Sequence, residues 1–128
     1  MKVVGPCLVF VVYVLLTLLH LAAAAPRVRL DVMPLRTIGP IDAWHVRAWV
    51  ERDDLNRTLR VEAHADSYDR ATELPLNGSF APRVLDVWWT GRVPCGEYVV
   101  AASILGPSRQ LLRQTRTRAE ICVVAEGP

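Results

Sequence analysis

The sequence predicts an all-β chain, a two-sheet antiparallel sandwich of about seven strands preceded by a helical signal peptide. Three observations carry this. From residue 27 onward apolar and polar residues alternate in short runs, and no long segment repeats apolar residues at helical spacing. Turn-forming clusters recur roughly every 8 to 12 residues, the spacing of a sandwich. Residues 25–128 number 104, close to the ~100 of one such domain.

The N-terminus reads as an export signal. Met1-Lys2 supplies one positive charge, an apolar segment of about 15 residues runs from Cys7 to Leu21, and Ala22 to Ala25 offers the small residues that a signal peptidase needs. Cleavage between Ala24 and Ala25 divides the chain into a signal at 1–24 and a single sandwich domain at 25–128. A secreted or periplasmic protein is then expected. The alternative is an uncleaved N-terminal membrane anchor, since counted from Val3 the apolar run reaches the roughly 18 residues at which a spanning helix begins. Gly5-Pro6 would interrupt the first turn of that helix. Residues 25–128 carry 14 arginines against 13 acidic residues, so the charge gives no case for nucleic acid. Membrane contact is expected only through the signal segment, if it is retained.

Each element follows from the alternation. Arg27 to Met33 sends Val28, Leu30 and Val32 to one face, and Trp44 to Val50 does the same with Val46, Ala48 and Val50. Asp53-Asp-Leu-Asn56 is a turn, after which Arg57 to Ala65 sets Leu59, Val61, Ala63 and Ala65 against Arg60, Glu62 and His64. Asp66 to Pro82 is rich in turn formers and reads mainly as a crossover between sheets, with a short edge strand around Thr72 to Leu76. Arg83 to Trp89 resumes the strand pattern, Gly91 to Gly96 turns the chain, and Glu97 to Leu105 pairs with Leu111 to Val124 through Gly106 to Gln110.

Removal of the signal takes Cys7 with it and leaves Cys95 and Cys122. A small exported chain with two thiols most often joins them. In an antiparallel hairpin each step forward on one strand is a step back on the other. Centring the last hairpin between Ser108 and Arg109 sets Cys95 opposite Cys122, within bonding reach. A Cys95–Cys122 disulfide is therefore expected.

The catalytic reading of Cys95 lacks its companions. A cysteine nucleophile needs a histidine base that is itself oriented by a third group, and His45 and His64 both fall on strands outside any recognisable motif. A copper site of the cysteine, histidine and methionine kind would place those ligands just after the cysteine, where this chain reads Gly-Glu-Tyr-Val-Val, with Met33 far away. Zinc asks for more ligands than two cysteines and two scattered histidines supply. No cofactor or metal and no catalytic residue is expected.

With the strands placed, Val93-Pro-Cys-Gly-Glu-Tyr-Val-Val-Ala-Ala102 resembles the corner of fibronectin type III and bacterial immunoglobulin-like domains. There a Pro-x-Gly-x-Tyr turn precedes alternating Val and Ala, and the tyrosine hydroxyl bonds back to the corner's backbone. The resemblance implies that Tyr98 is this buried corner tyrosine, that Gly96 supplies the turn, and that Val100, Ala102 and Ile104 continue the core face. The chain departs from the antibody pattern, in which the disulfide joins the two sheets across a buried tryptophan.

Two surface candidates remain. Adjacent residues on a strand face opposite ways, so one of Trp88 and Trp89 lies in the core and the other outside. Trp44 is expected inside and Trp49 outside, and Trp49 with Trp88 or Trp89 forms a candidate ligand platform unless arginine stems cover the outer indole. Arg109, Arg113, Arg116 and Arg118 lie on or beside the final strand. Arg116 and Arg118 share a face and are a candidate anion contact, or a guard against edge-to-edge aggregation. Glu97 falls opposite Glu120, where flanking arginines must offset the repulsion. Asn56-Arg-Thr58 and Asn77-Gly-Ser79 fit the N-glycosylation pattern.

The resemblance implies an exported, non-enzymatic sandwich acting in protein–protein binding or as a structural or accessory module, with a protein or glycan partner outside the cytoplasm. One alternative is a carbohydrate-binding module using exposed tryptophans. Another is a small secreted enzyme or inhibitor on the same scaffold, for which a converging polar pocket or a protruding loop at 66–82 would speak.

Overall fold

The computed structural model describes residues 9–15 and 26–122. Residues 9–15 are helical, and the expected cleavage junction after Ala24 lies outside the described residues, as do Val123 and Val124. Among the described residues no helix is long and apolar enough to cross a membrane. Seven strands follow: β1 (Val28–Met33), β2 (Ile41–Val50), β3 (Thr58–Ala65), β4 (Tyr68–Pro75), β5 (Val84–Val93), β6 (Gly96–Leu105) and β7 (Leu111–Ile121). They form an antiparallel three-stranded sheet of order β1-β2-β5 and a four-stranded sheet of order β4-β3-β6-β7, packed as an open sandwich.

The alternating pattern explains which faces meet. Val46, Ala48 and Val50 from β2 and Val87, Trp89 and Val93 from β5 are buried against Leu59, Val61, Tyr98, Val100, Ala102 and Ile104 of the other sheet. Trp44 sits at the centre, edge-on to Trp89 at 6.1 Å and to Tyr98 at 5.1 Å between ring centroids. Its indole nitrogen is satisfied by the carbonyl of Pro34 at 2.9 Å. Truncating such a residue to alanine costs about 3 to 5 kcal/mol.

Two expectations are corrected. The segment after Asp66 is no long crossover: Asp66-Ser67 is a two-residue turn, and Tyr68–Pro75 pairs with β3 along its full length. The crossover is confined to the stretch between β4 and β5, with a 3-10 turn at Gly78–Phe80. Strand β5 also runs beyond Trp89 to Val93, passing through Gly91 at φ 108°, a backbone conformation that glycine adopts without penalty. The turn between β5 and β6 is therefore only Pro94-Cys95.

The β6–β7 pairing sets Gly96 opposite Ile121 and Glu97 opposite Glu120, so Cys95 and Cys122 flank the hairpin's open end. The chain leaving β1 crosses to the second sheet, where Leu35 and Thr37 bond the backbone of Glu120 in a short parallel bridge. The Arg36 guanidinium lies 3.3 Å from the Glu120 carboxylate, which offsets the repulsion of the facing glutamates.

Candidate binding surface

The outward face of the three-stranded sheet is a lattice of three cross-strand rows. Register places Arg29, Trp49 and Val84 in one row, Asp31, Arg47 and Asp86 in the next, and Met33, His45 and Trp88 in the third. Trp88 points to solvent and is 65 % exposed, whereas Trp89 is buried at 2 % with its indole nitrogen donating to Thr72 Oγ1 at 2.8 Å. Trp89 is thus a core residue and no part of a ligand platform.

Trp88 is not covered by arginine stems. One face of its indole rests on the imidazole of His45, with planes 1° apart and centroids separated by 3.9 Å, and this cover leaves His45 only 8 % exposed. His45 Nε2 lies 2.7 Å from Asp86 Oδ1, and the same oxygen accepts the Arg47 Nε–H at 2.7 Å. The hydrogen bond from Arg47, and then that from His45, holds the Asp86 carboxyl below the usual carboxylate range. Backing a surface ring in this way removes rotamer freedom before any partner arrives, which lowers the cost of binding through it.

Trp49 lies on the same face but four residues along β2 from His45, about 13 Å at the rise of a strand. Its ring is capped by the Arg29 guanidinium, 4.1 Å from the ring centre. The arginine cover expected for the outer indole thus falls on Trp49, and Trp49 and Trp88 are separate features rather than one platform. Beside Trp49 an open groove of about 600 Å³ is lined by Arg27, Arg29, Arg83 and Arg113, with Glu51 as its carboxylate. Sequence reasoning passed over Arg27, Arg29 and Arg83; only the pairing of β1 with β2 and the loop entering β5 brings them together.

Arg116 and Arg118 lie on the outward face of the four-stranded sheet, opposite Ala101 and Val99. Arg109 instead pairs with both oxygens of Glu73, and Arg113 donates to the carbonyl of Pro26 at 3.0 Å. On the same face His64 Nδ1 bonds the Asp69 carboxylate, and this contact, before the charge itself, raises the imidazole above its ordinary value.

Cys95 and Cys122 are bonded to each other, with Cα atoms 5.0 Å apart. Tyr98 is buried and donates its hydroxyl to the carbonyl of Pro94 at 2.7 Å. Gly96 opens β6 directly beneath it, rather than standing within the turn. Asn56 is wholly buried, its amide nitrogen donating to the Glu51 carbonyl, so in the folded domain only Asn77 of the two glycosylation motifs is open to modification. At the end of the sandwich near Asn77, Phe80 stands 85 % exposed.

Among the described residues no group of three or more His, Cys, Asp or Glu side chains is placed to hold a metal ion. No family model matches the chain, and no curated protein matches it.

Proposed function

We propose that this chain is an exported, non-enzymatic binding module of the immunoglobulin or fibronectin type III kind, which holds a protein partner against the outward face of its three-stranded sheet with Trp88 as the central contact. The observation that carries the reading is the backed indole: a large amphipathic ring, mostly exposed, yet fixed from below by His45, Asp86 and Arg47. Tryptophans so placed dominate the energy of protein interfaces. Met33 and Val84 add exposed apolar surface in the flanking rows, around the Asp86 and Arg47 pair. The family reading is supported by the sheet orders β1-β2-β5 and β4-β3-β6-β7 and by the Tyr98 bond to Pro94. The non-enzymatic reading is supported by the Cys95–Cys122 bond, which leaves the Cys95 sulfur no thiolate for a histidine to activate.

A second reading rests on the same ring, because a tryptophan face backed on one side stacks equally well on a sugar. Cross-linking of the full chain to extracellular or envelope proteins, run beside a glycan array, tests both. A discrete protein adduct formed by wild type and by Phe80→Ala but lost from Trp88→Ala supports the protein reading. Array binding that disappears in Trp88→Ala supports the sugar. Equal adducts from all three chains overturn the assignment to this face.

A further inference from the structure

Strand β7 closes the four-stranded sheet and has β6 on one side only. At one end its free side is already occupied, since Glu120 N–H donates to the Leu35 carbonyl at 2.9 Å and its carbonyl accepts from Thr37 N–H at 3.0 Å. The Glu120 backbone therefore points away from β6. Backbone direction alternates along an antiparallel strand, and the β6–β7 register is unbroken from Glu120 to Arg113. Arg118, Arg116 and Gln114 consequently present their N–H and C=O groups to the same free edge, and among the described residues those groups have no backbone partner. The open length, from Gln114 to Arg118, is about 13 Å at strand rise.

Arginines predominate around this edge, and the carboxylates near it have partners of their own: Glu51 faces Arg27, Glu62 faces Arg60 and Asp69 faces His64. Arg116 and Arg118 flank it on the outward face. Arg113 lies on the other side, at the groove that also carries Arg27, Arg29 and Arg83. The nearest carboxylate along the strand, Glu120, is paired with Arg36. A cationic edge repels a second copy of itself and selects an acidic strand.

We propose that the free edge of β7 from Gln114 to Arg118 takes an extended acidic segment of a partner polypeptide as an added strand. Its backbone pairs with Gln114, Arg116 and Arg118, and its carboxylates meet Arg116 and Arg118 on one face and Arg113 with the groove arginines on the other. The segment Leu35 to Thr37 is the in-chain precedent, a short extended stretch already added to the same edge. This site is independent of Trp88, which lies on the other sheet.

The test uses fluorescence anisotropy of the full chain with a labelled nonapeptide of alternating glutamate and valine. Saturable binding is expected, weakened about tenfold or more by the double variant Arg116→Glu/Arg118→Glu and unchanged by Trp88→Ala. N-methylation of alternate peptide nitrogens on the pairing side abolishes binding. Gln114→Pro removes an outward backbone donor but no backbone bond to β6; it weakens binding more than Gln114→Ala, which loses only the side-chain bonds to Ser103 and Arg116, while far-UV circular dichroism stays native. Equal binding of the N-methylated peptide, of a lysine and valine counterpart, or of a uronate oligosaccharide overturns strand addition, as does the absence of binding. Should Gln114→Pro fail to fold, the N-methylated peptide still decides.

Discussion

His45 and Trp88, 43 positions apart in sequence and directly opposed across β2 and β5, form a parallel ring stack whose lower member is held by Asp86. Because Arg47 and His45 hold the Asp86 carboxyl below its ordinary 3.8, the ionised form is the one that favours folding. This contribution is present above the unfolded value and is lost as pH falls through the depressed folded value. Asp86→Asn should therefore lower the urea midpoint at neutral pH, and the gap from wild type should close well below pH 3.8. A gap that persists unchanged into strong acid would show that Asp86 acts otherwise.

The His64–Asp69 contact has the opposite dependence to that of Asp86. Asp69 raises His64 above 6.5, so the contact stabilises the fold fully below the unfolded value and loses its effect as pH rises through the folded one. Histidine titration by NMR should place His64 above 6.5 in wild type and return it toward 6.5 in Asp69→Asn. The stability difference between the two chains should shrink on the alkaline side. Identical titration curves would reject the coupling.

How much of this was legible depends on where polar groups face. Strands β1, β2, β3 and β6 have apolar residues at their inward positions, so their period of two reads directly from the sequence. Strand β4 does not, because Arg70 and Thr72 take every-other-residue positions in line with Tyr68 and Leu74 and use them to bond the Thr90 carbonyl and the Trp89 indole. Those cross-sheet bonds do the work that apolar contacts do elsewhere, and the pattern disappears. That Trp88 and Trp89 face opposite ways follows from parity; that Trp89 is the buried one comes only from the folded chain. That Trp88 rests on His45 does not, since two strands of the other sheet separate β2 from β5 in sequence and no local signal sets their register. The arginine groove is hidden for the same reason.

Tyr98 donates to Pro94 from a buried position, so Tyr98→Phe keeps the ring packing against Trp44 and Tyr68 but leaves a carbonyl without its donor. The expected loss is about 1 to 2 kcal/mol, read as a shift in urea midpoint at constant slope. Wild-type stability in this variant would mean that water replaces the hydroxyl at no cost.

The Cys95–Cys122 bond closes a loop between residues 27 positions apart, and tying the open end of the last hairpin removes about 3 to 4 kcal/mol of unfolded-chain freedom. Denatured but unreduced full chain should titrate one thiol, that of Cys7, and reduction should lower stability by about that amount. Three reactive thiols would refute the bond. Its loosening should also be local. Cys122 N–H donates to Thr37 Oγ1 at 3.1 Å, and Thr37 belongs to the segment that pairs with Glu120. Hydrogen exchange in the reduced chain should therefore quicken first at Thr37 and Glu120, while Val61 at the sandwich centre keeps its protection until global unfolding.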